Sequence, residues 1–338
     1  MTERIEAVVR GVRETKALAK LVGEAPNFTK VIATIPSIAQ HNGAVLISGE
    51  TGTGKELVAR AIHYLSDRAG HPFVCVNCAS LPDSLLEDTL FGHEAGAFTD
   101  ARLSRRGLLA EAHGGTLLLD EVESLSTRAQ VALLRVLQDG TFHALGSARQ
   151  QRTDGRVLAA TNVPLEHMVL SGAFRSDLYY RLRVFFIDLP PLRERKGDIL
   201  VLARHFLDQH TASGKGPFDL NDAVKAVLAS HSWPGNVREL ENAILRATVV
   251  CRTGLISPED LGIPTERRAA PNLAAQPRPY QVLKREAIAS FERNYLTDLM
   301  AQHRGNVTRA ARTAGKDRRE LGKLLKKCGV DPRAFRVV

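Results

Sequence analysis

Along the chain, short apolar runs alternate with segments whose apolar residues recur every three or four positions. Runs such as Ala44–Ile47 and Val157–Ala160 have the length of buried strands, and the apolar positions between Leu57 and Leu65 fall on one face of a helix. From Leu21 to Leu189 this alternation predicts an α/β domain with a doubly wound, mostly parallel sheet. In such folds ligands bind at the carboxyl ends of the strands.

After Pro190 and Pro191 the pattern becomes helical, with helices predicted over residues 198–209, 220–230 and 236–251. Residues 190–262 are therefore predicted to form a small all-α lid. Four prolines among alanines and polar residues make residues 263–279 a predicted linker. Residues 1–20 predict a short amphipathic helix that is too small to be a sensory domain.

Residues 280–338 predict a C-terminal all-α domain. A long helix over residues 281–302 is followed by a short helix with Asn306 at its N-cap. After a turn, the last helix opens with Asp317 and Glu320, which fit a capping box. This spacing predicts a helix-turn-helix.

The composition is that of a soluble protein with a large core, since 44% of the 338 residues are hydrophobic and 25% are charged. No apolar run approaches the roughly 18 residues of a membrane span, and charges interrupt the N-terminus where a signal peptide would be apolar. We therefore expect a cytoplasmic protein with no membrane partner. Cys75 and Cys78 lie in a strand-like segment without a second pair, so core packing is favoured over a zinc or redox site.

The formal net charge of +9 is concentrated at one end of the chain. From Arg278 to Val338 there are 15 Lys and Arg against 6 Asp and Glu, so the remainder is neutral. A basic module on a neutral body indicates nucleic-acid binding, because neutralising phosphates supplies most sequence-independent affinity. A disordered solubilising tail is the alternative.

On the predicted last helix, Arg318, Arg319 and Lys323 project away from the apolar face. They are candidates for contacts with bases and phosphates in a major groove. Solvated helix charges would have the same pattern.

A glycine-rich segment lies where a predicted buried strand meets a predicted helix: Gly49, Glu50, Thr51, Gly52, Thr53, Gly54 and Lys55. Its backbone N–H groups can converge on a phosphate at the positive end of the helix, and Lys55 can reach the outer phosphates. The segment predicts a nucleoside triphosphate site, with an ordinary glycine-rich loop as the alternative. Glu56 stands where most such loops place the Ser or Thr that binds Mg²⁺, so the metal needs another ligand.

Polar residues end two further predicted strands. Asp120 and Glu121 follow the apolar run after Gly114, so Asp120 can hold Mg²⁺ and Glu121 can orient and deprotonate a water. Thr161 and Asn162 end the other strand, where their side chains would lie beside the same phosphates. A solvated turn is the alternative at both strand ends.

Six segments together resemble one known family: Gly49–Glu56, Phe91–Thr99, Gly114–Glu121, Phe174–Leu182, Pro190–Arg195 and Trp233–Leu240. They are similar to the bacterial enhancer-binding proteins, AAA+ ATPases that activate RNA polymerase containing sigma-54. The resemblance extends from about Leu21 onward, and Glu56 is the usual residue at its position in that family. It implies an AAA+ ATPase that uses ATP and Mg²⁺.

The resemblance also implies roles for residues outside the glycine-rich loop. Arg175 and Arg181 resemble arginine fingers that reach the γ-phosphate held by a neighbouring subunit, although sequence alone also fits solvated helix charges. Arg238 resembles the second sensor, which couples the nucleotide to the lid. A site split between subunits requires a ring, which in this family is typically a hexamer, so we expect a homo-oligomer between a dimer and a hexameric ring.

Two strand-end positions are assigned in the same way. Thr161 and Asn162 resemble the first sensor. Asn77 resembles the residue that holds Glu121 away from water until the target is engaged, although a plain strand-end Asn would look the same.

Gly96–Ala101 resembles the loop with which this family contacts sigma-54, with Asp100 where glycine is usual. Phe98 and Thr99 are the predicted contact residues, because a Phe in a polar loop flanked by glycine is an exposed apolar contact. The C-terminal domain resembles the Fis-type helix-turn-helix of the family. This implies binding to double-stranded upstream enhancer DNA, at a pseudo-palindromic site if the domain acts as a dimer.

These patterns predict a sigma-54-dependent transcriptional activator driven by ATP hydrolysis. The main alternative is a DNA-binding AAA+ regulator that no longer engages sigma-54, which Asp100 supports. A P-loop helicase, protease partner or kinase is disfavoured by the Phe98–Thr99 loop beside a terminal helix-turn-helix. No receiver or ligand-sensing segment precedes the ATPase in this sequence, so we expect regulation by a protein acting in trans, by expression level or by a domain outside the sequence.

Overall fold

The computed structural model describes residues 21–99, 101–211, 218–251, 254–263, 292, 295–296, 299–300, 303 and 305–335. The chain divides into two compact units, residues 1–265 and 266–338. The predicted N-terminal helix, nearly all of the predicted linker, most of the predicted 281–302 helix and Asp100 lie outside the described residues. Within the described part of the chain, no helix is both long and apolar enough to cross a membrane.

The first part of the larger unit alternates helices and strands. In chain order these are α1 (Pro26–Ala39), β1 (Val45–Ser48), α2 (Lys55–Tyr64), β2 (Phe73–Asn77), α3 (Asp83–Phe91), β3 (Gly92–His93), β4 (Arg105–Arg106), α4 (Leu108–Glu111), β5 (Thr116–Asp120), α5 (Thr127–Asp139), β6 (Thr141–His143), β7 (Gln150–Arg152), β8 (Arg156–Thr161), α6 (Leu165–Leu170), α7 (Ser176–Leu182) and β9 (Phe185–Asp188).

Five of these strands form a parallel sheet in the order β2-β5-β8-β1-β9. Successive side chains of a strand point to opposite faces, so Leu117 and Leu119 of β5 enter one core while Leu118 enters the other. Helices cover both faces, which explains why the strands read as continuous apolar runs. The carboxyl ends of β1, β5 and β8 meet at one edge of the sheet, where the candidate site lies.

The lid follows β9 and is helical. It contains a 3₁₀ turn (Leu192–Glu194), α8 (Lys196–Thr211), β10 (Asp219–Leu220), α9 (Asp222–Ser230), α10 (Asn236–Val250) and β11 (Leu255–Ile256). Trp233 is fully buried in the lid core, and its Nε1 donates a hydrogen bond to the Leu228 carbonyl at 2.9 Å. The helix boundaries differ from the predicted ones by no more than two residues.

The described part of the smaller unit has its own apolar core, which includes Met300, Ala310, Leu321 and Leu325. Helices α11 (Val307–Thr313) and α12 (Arg318–Cys328) contribute to this core.

Side chains cap both of these helices. Asn306 accepts a hydrogen bond from Arg309 N at 3.2 Å, and Asp317 accepts from Arg319 N at 2.7 Å and from Glu320 N at 2.8 Å. The N-caps predicted at Asn306 and Asp317 are therefore present.

Candidate functional site

The glycine-rich turn between β1 and α2 forms a tight cradle against the lid. Gly52 has a φ of 80°, and a Cβ at this position would lie 2.3 Å from the carbonyl oxygen of Gly235. Only glycine fits both this backbone conformation and this close approach. Gly49 and Gly54 also have positive φ angles, and the Thr53 hydroxyl donates to the Glu50 carbonyl at 2.8 Å, which closes the turn.

Lys55 is buried at the centre of the cradle. Its Nζ donates to the carbonyl oxygens of Gly49 at 2.7 Å and Glu50 at 3.1 Å, and to Oδ1 of Asn162 at the end of β8. Burial lowers the pKa of Lys55, and the nearby carboxylate of Asp120 opposes that shift. The ammonium therefore joins the turn to the end of a neighbouring strand.

Asp120 and Glu121 lie opposite this lysine. Burial raises the pKa of Asp120, and Lys55 acts against that rise. Glu121 has a φ of 55°, a left-handed conformation that is strained for a residue other than glycine and is often found at functional sites. The half-buried carboxylate of Asp120 beside a phosphate cradle fits Mg²⁺, which takes one or two carboxylates together with substrate phosphates.

These groups line one cavity of about 890 Å³, a volume suited to a nucleotide. Its lining residues are Thr51, Gly52, Gly54, Lys55, Glu56, Leu57, Arg60, Tyr64, Asp120, Glu121, Asn162, Val237, Arg238 and Glu241. The structure thus brings together nine of the residues proposed for nucleotide binding and catalysis. Sequence reasoning did not include Arg60, Tyr64 or Glu241, whose helical spacing from Glu56 and Arg238 could have indicated them.

Glu56 lines this cavity and is also paired along its own helix. Its carboxylate lies 2.7 Å from a guanidinium nitrogen of Arg60, one turn further along α2. The exposed Glu56 side chain therefore forms an ion pair with Arg60 along the surface of α2.

The junction between the turn and the lid centres on Asn236, which sequence reasoning missed. Asn236 is fully buried and has a φ of 53°. Its Nδ2 donates to the Thr51 carbonyl at 3.0 Å and to Glu50 Oε2 at 3.1 Å, while its Oδ1 accepts from Leu192 N at 2.7 Å. Glu50 also pairs with both terminal nitrogens of Arg193 at 2.6 and 2.8 Å.

These contacts hold the Glu50 carboxylate between Arg193 and Asn236. The Arg193 guanidinium holds the pKa of Glu50 below its usual value. Glu50 does not line the cavity; it joins the turn to the start of the lid.

The side chains of two strand-end residues, Thr161 and Asn77, form hydrogen bonds to backbone groups two residues further along the chain. The Thr161 hydroxyl donates to the Val163 carbonyl at 2.9 Å, and Asn77 Oδ1 accepts from Ala79 N at 2.9 Å. Among the described residues, no hydrogen bond joins Asn77 to Glu121. Glu123, not predicted, accepts from the backbone N–H of Asn162 at 3.0 Å and so holds the turn after β8.

Arg175 and Arg181 do not line the cavity of their own chain. Arg175 is exposed and pairs with Asp177 at 2.7 Å, and Arg181 Nε donates to the Leu137 carbonyl at 3.0 Å. Their position is compatible with a role toward a neighbouring subunit, which stays a prediction.

The predicted contact loop rises from the β3–β4 pair. Phe98 is 46% exposed, and its ring packs edge-on against His93 with 4.9 Å between the ring centres. Gly96 N donates to the Ala101 carbonyl at 2.7 Å, which closes the loop. Thr99 is exposed beside Phe98.

The three candidate DNA-contacting residues lie on the surface of the smaller unit. Arg318, Arg319 and Lys323 are all exposed on α12.

The two cysteines of the predicted core-packing pair differ in exposure. Cys78 is buried as expected, and burial raises its pKa to about 12. Cys75 is exposed, so the core-packing interpretation is wrong for Cys75. Within the described residues there is no cluster of side chains that could hold a metal ion by itself.

The cavity contains a P-loop lysine and lies under a helical lid, at the carboxyl edge of a parallel sheet. This arrangement is the nucleotide pocket of an AAA+ ATPase domain. The family description of the Sigma-54 interaction domain matches residues 21–188, and that of the AAA+ ATPase lid domain matches residues 193–276. The predicted α/β fold with a parallel sheet and a helical lid is confirmed, but the lid is not strictly all-α because it contains the short β10–β11 pair.

Relatives of known name are similar over most of the chain. Regulatory protein AtoC of Escherichia coli (strain K12) is 43% identical over 316 residues, 92% of this chain and 68% of AtoC. The sigma-54-dependent transcriptional regulator SfnR of Pseudomonas fluorescens (strain Pf0-1) is 46% identical over 275 residues, 80% of this chain and 75% of SfnR. Some relatives are longer, and the chain spans as little as 39% of their length.

Among solved structures, NtrX from Brucella abortus in complex with ADP has a TM-score of 0.68 and 35% sequence identity, covering 97% of this chain and 74% of NtrX. The chain belongs to the family of sigma-54-dependent transcriptional regulators.

Proposed function

We propose that this protein is a transcriptional activator that binds upstream enhancer DNA and uses ATP hydrolysis to remodel sigma-54 RNA polymerase for promoter opening. One observation carries the proposal: a nucleotide cavity under a lid and an exposed Phe98–Thr99 loop occur in one Sigma-54 interaction domain. The first supplies energy and the second supplies an apolar contact for a protein partner.

In the proposed hydrolysis, the turn from Gly49 to Lys55 holds the phosphates. Asp120 would hold Mg²⁺, and the bound ion would neutralise charge that develops on the phosphates. Glu121 accepts the proton of the attacking water. Glu121 directly follows Asp120 at the end of β5, has a left-handed backbone conformation and lines the cavity. Arg238 and Asn162 report the state of the phosphates to the lid and to β8.

The positive charge that stabilises the γ-phosphate in the transition state is proposed to come from a second copy of the chain. Arg175 and Arg181 lie outside their own cavity, so we assign them to the γ-phosphate of a neighbouring subunit in a ring. An arginine in that position stabilises the transition state by about 10³ to 10⁵ in rate. A hexameric ring formed from dimers fits this arrangement.

The C-terminal unit is proposed to place the ring on DNA. Its exposed Arg318, Arg319 and Lys323 lie on one capped helix, as base and phosphate contacts of a helix-turn-helix require. Regulation by another protein acting in trans is part of the same proposal.

The second candidate is a DNA-binding AAA+ regulator that no longer engages sigma-54. Asp100 favours it, because glycine at that position supplies backbone freedom that a carboxylate-bearing residue lacks.

Mixed rings test the proposed ATPase. Arg175→Ala and Arg181→Ala should each lose turnover and keep nucleotide binding, and either variant mixed with Lys55→Ala should regain part of the activity. Absence of rescue at every mixing ratio would contradict a site shared between subunits.

A further inference from the structure

Gln130 is a buried polar residue on α5 whose side chain makes three hydrogen bonds to backbone groups outside its own helix. It is 1% exposed. Its Nε2 donates to the carbonyls of Leu125 at 2.9 Å and Ala173 at 3.2 Å, and its Oε1 accepts from Arg175 N at 2.9 Å. One amide therefore joins the segment that follows Asp120 and Glu121 to the segment that carries Arg175.

Both segments also border one apolar core, which contains Leu125 and Phe174. Leu125 ends the short turn that begins after Glu121, and Arg175 is the N-cap residue of α7, with an exposed side chain. Phe174, between Ala173 and Arg175, is buried in the core and limits rotation of the segment. The backbone of Arg175 is thus fixed while its guanidinium reaches outward.

The same helix also holds the second arginine. Arg181 Nε donates to the carbonyl of Leu137, two turns beyond Gln130 on α5. Helix α5 begins at Thr127, just after the turn that follows Glu121, so it runs from the hydrolytic carboxylates to both outward-facing arginines.

We propose that Gln130 is a positioning residue. It fixes the position in which Arg175 is presented to the neighbouring subunit, and that position depends on the state of the Asp120–Glu121 segment in the same chain as Gln130. This proposal rests on the proposed function, in which Arg175 acts on a neighbour. Movement of the segment after Glu121 displaces the Leu125 carbonyl, and the rigid amide transmits the displacement to the backbone of Arg175. Hydrolysis in one subunit thereby changes the catalytic arginine offered to the next.

Gln130→Met tests this role because methionine has a similar length and no hydrogen-bonding amide. We expect kcat for ATP to fall by about 10²-fold, the effect of a catalytic group misplaced by about 1 Å. The nucleotide Kd should stay within about twofold of wild type, since Gln130 does not line the cavity. Gln138→Met is the matched control on the exposed side of the same helix and should keep wild-type turnover.

Mixed rings distinguish the ways in which Gln130→Met could act. If the variant damages only the arginine it presents, mixing it with Lys55→Ala restores turnover, because the variant's pocket meets an intact arginine. Mixing it with Arg175→Ala gives no restoration, because every arginine is then defective. If mixing with Arg175→Ala alone restores turnover, the defect lies in the variant's own pocket and the proposal is overturned. Restoration by both partners, or by neither, also overturns the proposal.

Two controls keep the result interpretable. Gln130→Glu keeps the acceptor for Arg175 N and is used in the same pairs if the Met variant does not fold; a smaller loss with the same rescue pattern is expected. Wild-type turnover in Arg175→Ala would sink the proposed shared site itself. Loss of turnover in Arg175→Ala with none in Gln130→Met would overturn only the role of Gln130.

Discussion

Replacing Asn236 should weaken the lid and its hold on the nucleotide turn together. Asn236→Ala removes the acceptor for the buried N–H of Leu192 and the donors for Glu50 and Thr51. It also forces alanine into a backbone conformation with a φ of 53°. Asn236→Gly removes the same side-chain bonds and relieves the backbone strain, so the two variants separate the two effects.

The expected magnitude follows from these contacts. A buried donor left without a partner costs about 1–3 kcal/mol, so Asn236→Gly should lower the free energy of unfolding by about 2 kcal/mol. Asn236→Ala should lose about 1 kcal/mol more, because only glycine adopts a positive φ freely. Both variants should bind ATP more weakly, since Glu50 and Thr51 of the turn lose their hydrogen bonds from Asn236 of the lid.

The single tryptophan of the chain provides the assay. Trp233 is fully buried in the lid, so its fluorescence in a urea titration reports unfolding of the lid. At a slope of about 2 kcal/mol per molar urea, a loss of 2 kcal/mol lowers the midpoint by about 1 M.

Asn221→Ala is the control, because it removes an ordinary helix cap in the same lid; it should cost about 1 kcal/mol and leave ATP affinity unchanged. Wild-type midpoints for both Asn236 variants, or equal loss of ATP affinity in Asn221→Ala, would refute the reasoning.

The remaining predictions concern catalysis and DNA. Glu121→Gln should bind ATP normally and lose about 10² to 10⁴ in turnover, because an amide cannot take the proton of the water; near wild-type turnover in a phosphate-release assay would remove Glu121 from the mechanism. Deletion of residues 263–338 should leave ATPase activity and abolish specific DNA binding in a footprinting assay, and unchanged affinity would move the DNA site elsewhere. Arg319→Ala should weaken operator binding by about 1–3 kcal/mol if it contacts a base, measured by titration at fixed salt.

The sheet and the lid could be predicted from the sequence because their signals are local. A buried run such as Val157–Ala160 and the break at Pro190 each have one simple structural meaning. The glycine-rich turn and the carboxylates after β5 were equally readable, since parallel strands bring their carboxyl ends to one edge. These residues do meet in one cavity.

The positioning residues could not be predicted in this way. Asn236 and Gln130 act through hydrogen bonds to backbone groups that lie between 43 and 185 residues away or only a few positions away, with no periodic signal. Asn77 and Thr161 are the opposite case. The resemblance implied catalytic roles for them, but their side chains form hydrogen bonds to backbone groups two residues away. Contacts to the backbone across a fold leave little trace in residue type.

The most direct test of the central claim is binding of the purified protein to sigma-54 in the presence of an ATP transition-state mimic, followed by promoter opening with ATP. We expect the wild type to bind and to open the promoter, Thr99→Ala to keep its ATPase activity without opening the promoter, and Asp100→Gly to change activation only modestly. A wild-type protein that hydrolyses ATP and binds DNA, yet neither binds sigma-54 nor opens its promoter while Asp100→Gly does both, would contradict the account.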